Sequence, residues 1–268
     1  MAKGTIRRNV AIMAGTNKIL PFPFDYTKYF VSLRQNNIEE RMKDETTERL
    51  SPQSDSGEAP INDILENAEA VARRVFESIQ ALAGTETCKG VQIARLKDWA
   101  IANNHWISDI KKLGTFSDRG SENEVYLSFE DEHFIYKIND FRYSDDNLTP
   151  FFNRIKAHNE LFPECHYTLV GFAENQENKV CAVLKQGFVL SEREALTQEI
   201  GDEMVRLGFH KEDDGYFSNG DYDIFDAVPN NVLMGVDGHL YFIDTIIFKS
   251  GTGGLNTYRS VSPRCSGK

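Results

Sequence analysis

Apolar residues recur in several stretches of the chain with the three- to four-residue spacing of an amphipathic helix. The longest such stretch begins at Pro60 and ends before Gly84, which provides a glycine stop after the last apolar position. In a later stretch Pro150 falls in the first turn, where proline is well tolerated. The spacing predicts helices over residues 60–83, 91–103, 149–162 and 192–207.

Short apolar runs between glycine-containing or acidic turns predict strands elsewhere. The clearest case is a hairpin in which Asp237-Gly238 separates the runs 232–234 and 240–243, because this dipeptide favours a tight turn. Further strands are predicted as a pair within 113–129 and over 133–138, 167–173 and 180–184. Helices and hairpins in this mixture indicate an α+β protein.

A polar loop is predicted from Gly215 to Asp223. Loops are polar by default, so a solvated surface loop is the favoured interpretation. The nearby carboxylates of Asp213, Asp214 and Asp221 leave open a second one, the attraction of a cationic substrate such as an aminoglycoside or a polyamine.

Composition narrows the class of protein. The 268 residues carry a net charge of −11, which argues against general binding to nucleic acids or membrane surfaces. No run approaches the roughly 18 apolar residues of a membrane-spanning helix. The four cysteines are scattered without a C-x-x-C pair, as expected of small buried side chains in a reducing compartment. We therefore expect a cytoplasmic protein that binds neither nucleic acid nor membrane.

Three polar residues near the predicted hairpin at 232–243 form the strongest chemical pattern. Asp226 is followed five residues later by Asn231, and Asp244 comes directly after the second strand of the hairpin. In kinase-type phosphoryl transfer one Asp accepts the proton of the acceptor hydroxyl, while an Asn and a second Asp hold Mg²⁺. The plainer interpretation is an ordinary acidic hairpin, since Asp and Asn are common turn residues.

About a hundred residues upstream, a second pattern suits a nucleotide. A strand, a turn containing Gly120 and a second strand predict a hairpin whose backbone can approach phosphates closely, because glycine lacks a side chain. Lys137 lies late in the next apolar strand, where a lysine can pair with the α- and β-phosphates. Taken alone, however, Lys137 is better explained as a charged residue that protects a sheet edge from aggregation.

The order of these patterns along the chain resembles that of a known protein family. From about Trp99 to Phe248 the chain resembles the kinase domain of bacterial polyvalent proteins of phages and mobile elements, a divergent branch of the protein-kinase-like superfamily. The matching motifs are Gly120-Ser-Glu-Asn-Glu-Val-Tyr126, Tyr136-Lys137, His158-Asn-Glu-Leu-Phe-Pro163, Val183-Leu-Lys-Gln186 and Pro229-Asn-Asn-Val-Leu233. The loop from Asp226 to Asn231 also resembles that of aminoglycoside and other small-molecule phosphotransferases.

The resemblance implies a role for each motif residue. Asp226 corresponds to the catalytic base, and Asn231 and Asp244 correspond to the Mg²⁺ ligands. Lys137 is implied to contact the phosphates and to act in catalysis. The residues implied to bind ATP are Gly120, Ser121, Val125, Lys137, Lys185, Gln186, Asn231 and Asp244, with the backbone at Lys185 and Gln186 forming the hinge against adenine.

The chain departs from the kinase pattern at several positions. Ile224 stands where many kinases have His, and Val228 stands where protein-serine kinases have Lys. The first half of the predicted helix 149–162 offers no Glu to pair with Lys137, and the acidic residues left as candidates are Asp145, Asp146 and Glu160. Only 24 residues follow Asp244 (245 to 268), which predicts a minimal C-terminal lobe and leaves open whether a partner chain completes it.

Together these features predict a two-lobed, kinase-like phosphotransferase that uses ATP and Mg²⁺ and modifies a hydroxyl on a protein or a small molecule. A nucleotide-binding pseudokinase and a nucleotidyl (AMP) transferase are the alternatives. The predicted divisions are an N-terminal segment (1–34), a flexible acidic and polar linker (35–59), a helical extension (60–110), a kinase-like N-lobe (111–184) and a minimal C-lobe (185–268). For the amphipathic helix at 60–83, packing against the N-lobe is favoured over binding to a partner.

Overall fold

The computed structural model describes residues 63–80, 87–120 and 122–261. The predicted segments 1–34 and 35–59, the stop at Gly84 and the predicted site residue Ser121 lie outside the described residues. The described residues form five α-helices, of which the first four correspond to predicted ones: α1 (Asp63–Gln80), α2 (Cys88–Ala102), α3 (Thr149–Leu161), α4 (Thr197–Arg206) and α5 (Gly254–Val261). Thr87 caps α2, since its side chain accepts a hydrogen bond from the backbone N–H of Gly90.

A six-stranded sheet forms the N-terminal lobe. Its strands are β1 (Trp106–Ile107), β2 (Gly114–Arg119), β3 (Asn123–Ser128), β4 (Phe134–Asn139), β5 (Tyr167–Glu174) and β6 (Val180–Gly187). They lie in the order β1-β5-β6-β4-β3-β2, in which only β1 and β5 run parallel. The glycine hairpin predicted within 113–129 is confirmed as β2 and β3.

The C-terminal lobe consists of two small antiparallel sheets and the helices α4 and α5. Its strands are β7 (Ser191–Glu194), β8 (His210–Asp213), β9 (Tyr216–Ser218), β10 (Tyr222–Phe225), β11 (Val232–Gly235), β12 (Leu240–Phe242) and β13 (Ile246–Lys249). One sheet has the order β13-β10-β9-β8 and the other β12-β11-β7. The hairpin predicted around Asp237-Gly238 is confirmed, and Gly238 adopts the positive φ of 83° that such a turn requires.

The helices α1, α2 and α3 pack on the six-stranded sheet around one apolar core. Leu65 of α1, Leu96 of α2 and Phe152 of α3 are buried in it together with Leu169 and other sheet residues. The prediction that the first amphipathic helix packs against the N-lobe is therefore confirmed for its described part. A second core joins α4 to the hairpin β11–β12 and to the end of α3.

Two of the predicted boundaries are wrong, and both errors have the same cause. The helix predicted over 192–207 begins only at Thr197, because Ser191–Glu194 pairs as β7 with β11. The loop predicted from Gly215 to Asp223 contains β9 and the start of β10, which pair with each other and with β8 and β13. In each case backbone pairing with another strand outweighs the local sequence preference, although only β7 and β10 have a partner, β11 and β13 respectively, that is distant in sequence.

Two expectations from composition are tested by the described residues. Cys88, Cys165 and Cys181 are buried and form no disulfide, as expected of small core side chains. None of the helices in the described part of the chain has the length and apolar character needed to cross a membrane.

Candidate functional site

A cleft of about 580 Å³ opens between the two lobes. The glycine hairpin, β4 and the segment after β6 form its N-terminal side, while β11 and the residues after β12 form the other side. The lining residues are Gly120, Asn123, Val125, Ile135, Lys137, Gln186, Gly187, Phe188, Val189, Leu233, Ile243 and Asp244. Apolar walls with a few convergent polar groups are typical of a small-molecule site.

Lys137 is the buried cation of this cleft. Its ammonium group donates to the backbone carbonyl of Ile243 (2.8 Å), to Oδ1 of Asp244 (3.1 Å) and to the hydroxyl oxygen of Tyr167 (3.2 Å). Register places it on β4 between Val125 of β3 and Leu184 of β6, in the interior of the sheet. The interpretation of Lys137 as a lysine that protects a sheet edge is therefore wrong.

Burial and charge act in opposite directions on this group. Burial alone would lower the pKa of Lys137, but the Asp244 carboxylate and the Tyr167 oxygen outweigh it and raise the pKa above its ordinary value. For the Tyr167 hydroxyl, by contrast, burial raises the pKa to about 12, although Lys137 opposes this shift. Tyr167 is therefore protonated at neutral pH, and its hydroxyl donates to the carbonyl oxygen of Ile243 at 2.6 Å.

Asp244 joins the lobes through hydrogen bonds as well as through its ion pair. Its Oδ1 accepts from the side-chain amide of Asn123 at 3.4 Å, and the Asn123 oxygen accepts from Asn139 at 3.0 Å. About a third of the Asp244 side chain is exposed, whereas only 5% of the Lys137 side chain is. The carboxylate can therefore reach a ligand in the cleft while it stays bonded to Lys137.

The loop from Asp226 to Asn231 is held by its own residues. The Asn231 amide donates to the backbone carbonyl of Asp226 (2.9 Å) and to its Oδ2 (3.0 Å), and the N–H of Val228 donates to the same carbonyl (3.0 Å). Asp226 has a φ of 60°, in the left-handed region that is sparsely populated by residues other than Gly, Asn and Asp. Asp can adopt this conformation because its short side chain forms local hydrogen bonds.

The backbone connects this loop to the cleft. The N–H of Ile243 donates to the carbonyl of Asn231 at 3.0 Å, and Val232 pairs with Phe242 in the hairpin. The hairpin thus brings Asn231 opposite the residue that precedes Asp244, as its spacing in the sequence suggests. The Asn231 side-chain oxygen accepts from the amide of Asn230 at 2.9 Å.

The predicted site residues fall into three groups. Those that line the cleft are Gly120, Val125, Lys137, Gln186 and Asp244. Asp226 and Asn231 are not among the residues that line it, although the carbonyl of Asn231 accepts from the N–H of Ile243. Lys185 points its ammonium group at the ring of Phe134, 3.6 Å from the centroid. The cleft reaches the chain at 186–189, so the segment that borders it extends three residues beyond the predicted hinge.

The partner of Lys137 differs from the candidates that the sequence offered. Asp146 accepts from the backbone N–H groups of Cys88 and Lys89, and Glu160 pairs with Lys249 at 3.4 Å. Asp145 bonds the backbone N–H of the next residue. The carboxylate within ion-pair distance of Lys137 is that of Asp244.

Asn123 and Tyr167 are site residues that the sequence pattern did not single out. Both contact Asp244, at sequence separations of 121 and 77 residues. A polar residue at the first position of a strand carries no local indication of such a distant partner. Their role emerges only when the two lobes are packed together.

The oxygen groups at the cleft suit Mg²⁺ better than a transition metal. No cluster of three or more His, Cys, Asp or Glu side chains in the described residues could hold a metal ion by itself. Mg²⁺ instead takes one or two carboxylates and completes its shell with water and phosphate oxygens. The part-exposed Asp244 carboxylate and the Asn231 amide oxygen are the groups that could contribute to such a shell, provided that Asn231 releases Asn230.

Comparison with known proteins agrees with this geometry at the level of the family. No curated protein matches the chain. Residues 89–250 match the family model described as the serine/threonine/tyrosine kinase found in polyvalent proteins. Because the match covers more than half of the chain, this protein belongs to that family and has its two-lobed, kinase-like α+β fold.

Proposed function

We propose that this protein is a phosphotransferase that moves the γ-phosphoryl group of ATP to a hydroxyl group, with Mg²⁺ as cofactor. The observation that carries the proposal is the ion pair between Lys137 and Asp244, at the inner end of an interlobe cleft with apolar walls. A kinase-like site needs such a cation for the phosphates and such a carboxylate for the metal, and both must face the same space.

The apolar walls of the cleft suit the adenine ring. Val125 and Ile135 lie on the N-terminal side and Leu233 on the other, so a planar base can insert between them. The backbone from Gly187 to Val189 borders the same space and supplies polar groups at the edge of the base. Burying both faces of the ring contributes affinity by removing apolar surface from water.

At the inner end, charge positions the phosphates. Lys137 keeps its proton because its pKa is raised, so it is available to neutralise phosphate oxygens at any physiological pH. Asp244 and Asn231 would hold Mg²⁺, which neutralises phosphate charge when it is bound. Gly120 lies at the hairpin, where backbone rather than side chain faces the cleft.

Asp226 has the role of general base in this proposal. It orients the acceptor hydroxyl and takes its proton as the hydroxyl oxygen forms a bond to the γ-phosphorus and the bond to the β–γ bridging oxygen breaks. The two bonds from Asn231 and the left-handed backbone at Asp226 hold its carboxylate in one orientation. ADP and the phosphorylated acceptor are the products.

A nucleotide-binding module without transfer activity is the second candidate. It is favoured by one observation, the pairing of Lys137 with Asp244 rather than with a glutamate of α3. If Lys137 stays on Asp244 when ATP is bound, it cannot also neutralise the phosphates fully.

Two measurements test the proposal. Mg-ATP at about 100 times its Kd should stabilise the wild type by about 2.7 kcal/mol, seen as a rise in Tm. Asp244→Ala should lose most of this shift, while Asp98→Ala, on the exposed face of α2, should keep it. If Mg-ATP leaves the Tm of the wild type unchanged, nucleotide binding itself is contradicted.

Mass spectrometry then separates transfer from binding. After incubation with Mg-ATP and a panel of hydroxyl acceptors, including the protein itself, a gain of one phosphate supports phosphoryl transfer. A gain of AMP would replace the proposal with nucleotidyl transfer. A Tm shift without any covalent product would favour the binding module.

A further inference from the structure

A half-buried ion pair ties the turn of the glycine hairpin to helix α3. Arg154 donates with both terminal nitrogens to the carboxylate of Glu122, at 3.1 Å from Nη1 to Oε1 and 2.5 Å from Nη2 to Oε2. The two side chains are 15% and 17% exposed, among the least exposed ion pairs of the described residues. Two parallel bonds fix direction as well as distance, which a single contact does not.

Glu122 lies between elements that form the cleft. Gly120 and Asn123 line the cleft on either side of it, and Asn123 also bonds Asp244. Movement of the hairpin turn would therefore displace residues that line the cleft and, at the same time, the hydrogen bond from Asn123 that supports Asp244.

Helix α3 is anchored to the opposite side of the same site. His158 shares a hydrogen bond with the carbonyl of Phe242, two residues before Asp244, at 2.9 Å. Asn159 bonds both the carbonyl and the N–H of Tyr167, at 2.7 Å each. Tyr167 bonds Lys137, and so does the carbonyl of Ile243, the residue after Phe242. Helix α3 therefore connects the hairpin turn to the centre of the cleft.

We propose that Arg154 is a positioning residue, whose ion pair with Glu122 holds the glycine hairpin over the cleft and keeps it in register with Asp244. No carboxylate of helix α3 pairs with Lys137. The contact between this helix and the hairpin is instead the ion pair of Arg154 with Glu122. This inference rests on the proposed function for its effect on phosphoryl transfer, but its effect on the hairpin stands independently.

Charge exchange tests the pair directly. The variants are Arg154→Glu, Glu122→Arg and the double exchange, with Arg154→Gln and Glu122→Gln as milder substitutions should a reversed charge prevent folding. The matched control is the pair between Arg193 and Glu199, which has the same two-pronged geometry but joins β7 to α4. Each variant is measured for Tm, for amide hydrogen exchange in 114–128 and 240–246, for the Kd of Mg-ATP, and for kcat and KM.

Each single exchange should speed hydrogen exchange in the hairpin and lower kcat/KM by up to about 10²-fold, the loss typical of small misplacements. The double exchange should recover both, since it restores an ion pair across the same gap. Exchange of the control pair should leave the hairpin and kcat/KM at wild-type values. If the pair had a purely structural role, the Arg154 and Glu122 variants would lower Tm but leave hairpin exchange and kcat/KM at wild-type values.

Two results would overturn the inference. One is hairpin exchange that matches the wild type in folded Arg154 and Glu122 variants. The other is faster hairpin exchange with kcat/KM unchanged in an active enzyme. If the wild type transfers no phosphoryl group, the proposed function fails by itself. The hydrogen-exchange comparison, together with the Kd of Mg-ATP, then decides whether Arg154 positions the hairpin.

Discussion

The polar groups around Lys137 and those around Asp226 are built in different ways. The bonds of Lys137 reach residues 30, 106 and 107 positions away, and they close over a buried ammonium group. Asn231 holds Asp226 from only five positions away, on a loop that is half-buried. The first group depends on the packing of two lobes, while the second depends on one short segment.

This difference suits the two halves of a phosphoryl transfer. A nucleotide is bound before the reaction begins, so its site benefits from a rigid, preorganised network. In the proposed function an acceptor must also enter and leave, and a loop that is held by its own residues allows this without opening the core. The contrast predicts that changes near Lys137 alter binding and stability, whereas changes at Asp226 alter turnover.

The largest expected effect separates the two groups by kinetics. Asp226→Asn should lower kcat by about 10²–10⁴-fold and leave the Kd of Mg-ATP almost unchanged, because the base acts chiefly in the transition state. Asn tolerates the left-handed backbone at this position, so the loop should keep its shape. Lys137→Met should instead weaken nucleotide binding as well, since in the proposed function Lys137 contacts phosphates that are already present in the ground state.

Calorimetry for Kd and phosphorylation assays for kcat, run on both variants with the wild type, measure this contrast. Equal kcat for Asp226→Asn and wild type would rule out Asp226 as the base. Unchanged Kd for Lys137→Met would place the phosphates elsewhere in the cleft.

The next prediction, of intermediate size, concerns the free energy of unfolding at low pH. It involves only the group around Lys137. Burial lowers the pKa of His158 to about 4, partly offset by its bond to the Phe242 carbonyl, against an ordinary value of 6.5. The unfolded chain therefore takes up a proton at higher pH than the folded one. The stability contributed by the neutral ring is complete above pH 6.5 and is lost as the pH falls towards 4, by about 3 kcal/mol.

Urea unfolding at pH 7.5, 5.5 and 4.5 checks this prediction. His158→Gln should flatten the decline in the free energy of unfolding between pH 6.5 and 4. His210→Gln is the matched control on an exposed strand and should leave the decline as in the wild type. Identical pH profiles for His158→Gln and wild type would contradict the buried, neutral state of His158.

The smallest effect probes the support of the Asp226 loop. Gly215 has a φ of 73°, and a Cβ there would lie 2.8 Å from Cγ1 of Val228, while its carbonyl accepts from the N–H of Ala227 at 3.1 Å. Gly215→Ala should cost about 1–2 kcal/mol of stability and also lower kcat by displacing the loop. Gly220 has a φ of 90° and open space where a Cβ would lie. Gly220→Ala should therefore lose stability through backbone strain alone.

Comparison of Tm and kcat for these two glycine variants isolates the steric contact. Equal kcat in both would show that the turn between β8 and β9 does not position the loop. A lower kcat for Gly215→Ala alone would sharpen the view that the loop is supported from its own lobe.

Local patterns predicted much of the fold. The hairpin β2–β3, the helix α3 and the hairpin β11–β12 all lie where apolar spacing and turn residues placed them. These elements are encoded by neighbours in sequence, through side-chain periodicity and the conformational freedom of residues such as Gly238. Strand β7 was missed because its pairing with β11 joins segments about forty residues apart.

For the site, the sequence by itself determined the chemistry at hand, namely a strand lysine, an Asp-x4-Asn loop and an aspartate after a hairpin. Only the tertiary structure decided which groups meet: Lys137 with Asp244, Asn123 with Asp244, and Arg154 with Glu122. The physical reason is that an ion pair or hydrogen bond depends on distances of a few ångströms in space. Residue type and spacing limit the possible partners, but the packing of α3 and the two lobes selects among them.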